Sequence, residues 1–255
     1  MPTDRPNGSL YTKIQDRIAT VEFGHPASNS FVSELLQRLT AELHSLGKND
    51  EVSLIVLKSE GNRAFCAGAS FDELVAISNL DEGKAFFSGF ANVINAMRSC
   101  GKIIIGRVQG KTVGGGVGLA AACDYVYATE AASVKLSEVS IGIAPLVIAP
   151  AVERKIGKDG LAELALHPTE WKNAYWAKEK GLFSKVYGSI EEMDKELEFH
   201  ALKLASFNPE ALAEMKKVLW EGTNDWDTLL LERAAASGKL ALSPNTKEAL
   251  EKFKK

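Results

Sequence analysis

Cysteine is scarce in this chain. Cys66, Cys100 and Cys123 are its only three in 255 residues, and no two form a CxxC pair. That spacing excludes a zinc ribbon or a dithiol redox motif, so no metal site is expected. A disulfide scaffold is excluded as well, and a reducing, cytoplasmic setting is the expectation. Charge of one sign is also lacking. A formal net charge of -3 leaves no excess of cations to neutralise nucleic-acid phosphates. Long apolar runs are missing: Gly, Pro or charge interrupts each one short of the ~20 residues that span a bilayer, so no membrane partner is expected. Met1 to Ser9 holds no apolar stretch, so no signal peptide is expected. No internal repeat or low-complexity tract is present.

What remains reads as an ordinary globular chain, 45% hydrophobic and 25% charged. Asn7 to Phe23 has strand patterning around a turn at Gln15-Asp16-Arg17. Leu35, Leu36, Leu39, Leu43 and Leu46 share one face of a helix that Gly47 stops. Val52 to Leu57 and Lys102 to Val108 are apolar runs of the length of buried strands. Ser59 to Ser70 reads as a loop, Phe71 to Ala76 and Lys84 to Met97 as helices. Tyr125 to Ala128 and Ser133 to Leu136 read as strands, and Phe183 to Tyr187 as one more. Strands alternating with helices imply an α/β fold with parallel strands covered by helices. The stretch after Glu191 shows helical patterns alone. The expected division is a core at 1–190 and a helical region at 191–255.

Three segments hold candidate chemistry. In Ala64-Phe65-Cys66-Ala67-Gly68-Ala69-Ser70-Phe71, small residues precede a helix and would let peptide N–H groups approach a ligand. A tight packed turn explains the same residues. In Gly110 to Asp124, three consecutive glycines precede a helix, and Gly115 would present its N–H at the positive end of the helix dipole. A phosphate-binding P-loop fails there because Ile105 stands where a glycine is required. Gly116 to Ala121 fits GxGxxA, but the following helix is too short for a dinucleotide-binding unit. A glycine-lined helix packed closely on a neighbour is the alternative. In Leu136 to Pro145, Glu138 is a carboxylate in apolar surroundings. It is exposed, paired, or buried with the raised pKa that proton transfer to carbon requires.

These three segments, in this order, resemble the crotonase (enoyl-CoA hydratase/isomerase) family, over the span from Leu10 to the C-terminal helices. The pattern around Glu138 is closest to the methylglutaconyl-CoA hydratase branch. The resemblance implies a crotonase-like ββα spiral followed by a helical C-terminal region that builds homotrimers or hexamers. It implies an acyl-CoA thioester as substrate and no separate cofactor, since coenzyme A arrives with the substrate. Ala69 and Gly115 fall at the two N–H donors that hold the thioester oxygen, and Glu138 at a catalytic glutamate. Ala67 and Gly68 fall at the coenzyme A groove, with Ala27 and Ser28 on its other side.

The departure is at Gly118, where the family's two-glutamate hydratases carry their other glutamate. A glycine there would leave space for the acyl group. One glutamate suits hydration of a 2-enoyl-CoA, the favoured expectation. It also suits a double-bond shift by an isomerase, and a protein that binds CoA esters without chemistry is the third reading. His25, His44, His167 and His200 match no catalytic position.

Overall fold

The computed structural model describes residues 5–253. Its first sheet is built from β1 (Ser9–Gln15), β2 (Ile18–Gly24), β3 (Leu54–Ser59), β5 (Ile103–Val108), β7 (Tyr125–Thr129) and β10 (Lys185–Tyr187), in that spatial order. β1 and β2 form an antiparallel hairpin with Gln15 opposite Ile18. Asp16 and Arg17 make its two-residue turn, with φ of 51° and 63°. Two left-handed residues match the twist of the flanking strands. The remaining neighbours pair in parallel.

Parallel strands are covered on both faces, and the period-two alternation of β3 and β5 shows how. Ile55, Leu57, Ile104 and Val108 point into the main core, which also takes the leucine stripe of α1 (Ser33–Gly47). Leu54, Val56, Ile103 and Ile105 point the other way, against Met193, Leu197 and Ala201 of α7 (Ile190–Ala205).

A second sheet lies across the turns of the spiral, in the order β4 (Ala64–Cys66), β6 (Lys111–Val113), β8 (Ser133–Lys135), β9 (Lys172–Asn173). Three strands of the large sheet step into a small strand and then into a helix. β3 leads to β4 and then to α2 (Phe71–Ala76) and α3 (Leu80–Ser99); β5 leads to β6 and α4 (Gly115–Ala122). β7 leads to β8, a short 3-10 turn (Glu138–Ile141) and α5 (Ala149–Leu166). This is the expected ββα spiral. Residues 64–66, read from sequence as loop, are a strand because β6 offers them a pairing edge. Trp171 lies ahead of α6 (Ala174–Glu179) rather than on it, with the Lys111 and Lys135 ammonium groups over its ring.

The C-terminal helices α7, α8 (Pro209–Leu219), α9 (Trp226–Ala241) and α10 (Pro244–Phe253) are tied to the spiral by several contacts, of which three bear on the site. Asp124, after α4, takes hydrogen bonds from the Ile104 N–H, the Lys216 ammonium and the Trp220 indole, each at 2.7 Å. The Asp124 and Lys216 side chains are both 2% exposed. α9 crosses α3 where Gly238 meets Gly83, and a Cβ on Gly238 would lie 2.6 Å from the Gly83 carbonyl carbon. α10 is pinned by the Thr246 hydroxyl, which donates to the Gly142 carbonyl at 2.7 Å. Trp220, Trp226, Leu230 and Ala234 enter the main core, so residues on both sides of 190/191 share it. Removing one partner of a buried ion pair strands the other. Lys216→Met is therefore expected to lower unfolding free energy by about 3–5 kcal/mol, measured by denaturant titration.

Candidate active site

The first loop is positioned by Asn29. Its backbone has φ of 57°, and its side-chain amide donates to the carbonyls of Glu60 and Ala64 at 2.9 Å each. This sets the 26–30 turn against residues 67–70, where the peptide N–H groups are then used one by one. Ala67 donates to Ser28 O at 3.1 Å and Ser70 to Phe31 O at 2.7 Å. Gly68 donates to the Cys66 sulfur at 3.3 Å. Among the described residues, the Ala69 N–H donates to no protein acceptor. Ser70 closes the loop as the cap of α2, accepting from Glu73 N–H. The Glu73 carboxylate in turn binds the N–H and hydroxyl of Ser33 at the start of α1.

The second loop ends on Gly114, with φ of 54°. Its N–H donates to Lys135 O and its carbonyl accepts from Val117 and Gly118. Gly115 is the first residue of α4, and its N–H likewise has no protein acceptor. Pairing of β4 with β6 brings the two loops together: a Cβ on Gly68 would lie 3.5 Å from the Gly115 nitrogen. Two orphan donors, one at a helix N-terminus, converge on one place and suit an oxygen that gathers negative charge.

Glu138 arrives from the 3-10 turn after β8. That turn is closed by Ile143 N–H donating to Glu138 O and by Gly142 with φ of 82°. A Cβ on Gly114 would come 3.0 Å from Glu138 Oε1, so glycine is what allows the carboxylate to lie over the second loop. Oε2 is buried and accepts no hydrogen bond. Burial pushes the Glu138 pKa up to about 7, against a smaller opposing pull from its own backbone N–H.

Ala67, Gly68, Ala69, Gly115 and Glu138 line one cavity of about 190 Å³. Its other walls include Phe86, Phe87, Phe90, Ile143 and Leu146, and Glu138 is the one ionisable side chain among the lining residues. Ala27 and Ser28 stand outside it, on an exposed turn bonded to Ala67. Gly118 corrects the expectation drawn from sequence. It is buried and does not line the cavity; a Cβ there would lie 2.7 Å from the Ile148 Cβ. The glycine leaves no space for an acyl group, because Ile148 fills it. Ser237 of α9 does line the cavity, and nothing local in its sequence marks it. Among the described residues, no group of His, Cys, Asp and Glu could hold a metal ion, and no helix is long and apolar enough to cross a membrane.

A carboxyl group whose pKa rises from 4.5 to about 7 on folding destabilises the native state only when ionised. The penalty is absent below pH 4.5 and complete above about pH 7. Glu138→Gln is expected to gain up to roughly 3 kcal/mol over wild type near pH 8. That gain should vanish at acid pH in paired unfolding curves.

Residues 13–253 match the family model described as enoyl-CoA hydratase/isomerase. A peroxisomal Delta(3,5)-Delta(2,4)-dienoyl-CoA isomerase of Arabidopsis thaliana is 32% identical over 189 residues, covering 69% of this chain and 67% of that protein. A short-chain-enoyl-CoA hydratase of Clostridium acetobutylicum is 27% identical over 242 residues, covering 94% and 92%. The crystal structure of an enoyl-CoA hydratase from Bacillus halodurans superimposes with a TM-score of 0.87 at 19% identity, over 95% of this chain and 99% of that one.

Proposed function

The chain belongs to the enoyl-CoA hydratase/isomerase family, and on that premise we propose that it adds water across the double bond of a 2-enoyl-CoA, with Glu138 as its acid–base group. The observation that carries this reading is the partnerless Glu138 Oε2, with a pKa near 7, in the same apolar cavity as the orphan Ala69 and Gly115 N–H groups. An ionised Glu138 takes a proton from water as the water oxygen bonds to the β-carbon. The electron pair of the double bond moves to the thioester oxygen, where the two N–H groups hold it. The protonated Glu138 then returns its proton to the α-carbon, and water has been added across the bond. The Ser137 hydroxyl, beside Glu138 on the cavity wall, is a second partner for that water. Methylglutaconyl-CoA is the substrate that the sequence around Glu138 favours. Ala27 and Ser28, on the far side of Ala67, fit the outer rim of a coenzyme A groove.

A second reading is a double-bond isomerase. The position of Ile148 favours it, because an apolar side chain stands where a second water-binding carboxylate would be. A proton shuttle between two carbons needs one carboxylate and no water. A Glu138 with its Oε2 buried on the wall of an acyl-sized cavity counts against a non-catalytic protein. Exposed Phe199, Leu202, Met215 and Val218 on α7 and α8 support assembly into the trimer or hexamer we infer.

The test is turnover of crotonyl-CoA, methylglutaconyl-CoA and a 3-enoyl-CoA by wild type and Glu138→Gln. Hydration of a 2-enoyl substrate is expected, with kcat/KM rising through an inflection near pH 7 as Glu138 ionises. The variant should lose roughly 10²–10⁴-fold. Conversion of the 3-enoyl-CoA alone would establish the isomerase instead.

A further inference from the structure

Ser237 is fully buried, lines the same cavity as Glu138, and its hydroxyl has no hydrogen-bond partner among the described residues. Three helical hydroxyls elsewhere in this chain bond back to the carbonyl one turn earlier. Thr40 donates to Leu36 O, Ser88 to Lys84 O and Ser99 to Asn95 O, at 2.7–2.8 Å. Ser237 makes no such bond, so its hydroxyl faces an apolar cavity with its hydrogen-bonding capacity unused. A buried polar group in that state calls for a ligand atom or water.

Its place along α3 tells which part of a ligand it meets. Gly115 lies against Phe90, whereas Gly238, the neighbour of Ser237, lies against Gly83. Gly83 stands in the first turn of α3 and Phe90 two turns further on, where the tip of its ring meets Gly115. Ser237, beside the Gly83 crossing, is on this basis assigned to the acyl chain beyond the thioester rather than to the thioester oxygen. Arg233, one turn earlier on α9, donates to the carbonyl of the cavity residue Leu146 at 3.3 Å. It belongs to none of the ion pairs found among the described residues.

We propose that Ser237 is a specificity-determining residue that hydrogen-bonds an oxygen at the distal end of the acyl chain, a hydroxyl or a carboxylate. The inference deepens the proposed function and rests on its placement of the acyl group in this cavity. It is tested by calorimetric binding of saturated thioesters, which cannot be turned over: glutaryl-CoA, 5-hydroxypentanoyl-CoA and hexanoyl-CoA. Wild type is expected to bind at least one oxygen-bearing ligand roughly 10- to 100-fold tighter than hexanoyl-CoA. A preference for glutaryl-CoA alone assigns the carboxylate, and a preference shared by both assigns the hydroxyl-type contact. Ser237→Ala and the near-isosteric Ser237→Cys should each collapse that ratio toward unity. Equal binding of all three by wild type, or a ratio that survives in either variant, would overturn the proposal. Failure to hydrate crotonyl-CoA with the binding ratio intact would count against the proposed reaction and leave this assignment standing.

Discussion

Two peptide N–H groups, those of Ala69 and Gly115, belong to residues that line the cavity, and among the described residues neither donates to a protein acceptor. Half-buried donors without partners still cost stability, so a fold keeps them where surrounding bonds leave the backbone no alternative. Here the constraint is supplied on both sides. Asn29, Phe31 and Cys66 consume the hydrogen-bonding capacity around Ala69. Lys135 and the first turn of α4 do the same around Gly115. The pairing of β4 with β6 fixes the separation of the two donors, and the larger sheet carries β4 and β6 on its connections. The spiral is therefore a device for holding two adjacent loops in one register.

The carboxylate is governed by the same economy. Glu138 reaches the cavity because Gly114 has no side chain to block it and because the turn beneath it is closed at Gly142. Thr246 of α10 grips that turn, and α9 forms the wall opposite, through its close crossing of α3. The helical C-terminal region thus completes the site rather than merely flanking it. Asp124 anchors that region by joining strand β5, Lys216 and Trp220 at one point.

Much of this was legible in the sequence, for identifiable reasons. The apolar runs at Val52 to Leu57 and Lys102 to Val108, and the leucine stripe of α1, are local patterns whose period announces their structure. The three motif segments carried Ala69, Gly115 and Glu138, and the fold brings all three to one cavity. What escaped depended on contacts between distant residues. β4, β6 and β9 are two or three residues long and have no period to read. Gly118 looked like vacant space because its occupant, Ile148, comes from the turn that caps α5, thirty residues on. Ser237 gained its meaning from the crossing of α3 and α9, which no local pattern encodes.

The most direct measurement of the central claim is the vibrational frequency of an isotope-labelled thioester carbonyl in a bound, unreactive acyl-CoA. If the Ala69 and Gly115 N–H groups hold that oxygen, its stretch falls well below the value for the same thioester in water. A bound carbonyl that vibrates at or above its aqueous frequency would contradict the assignment of these two donors.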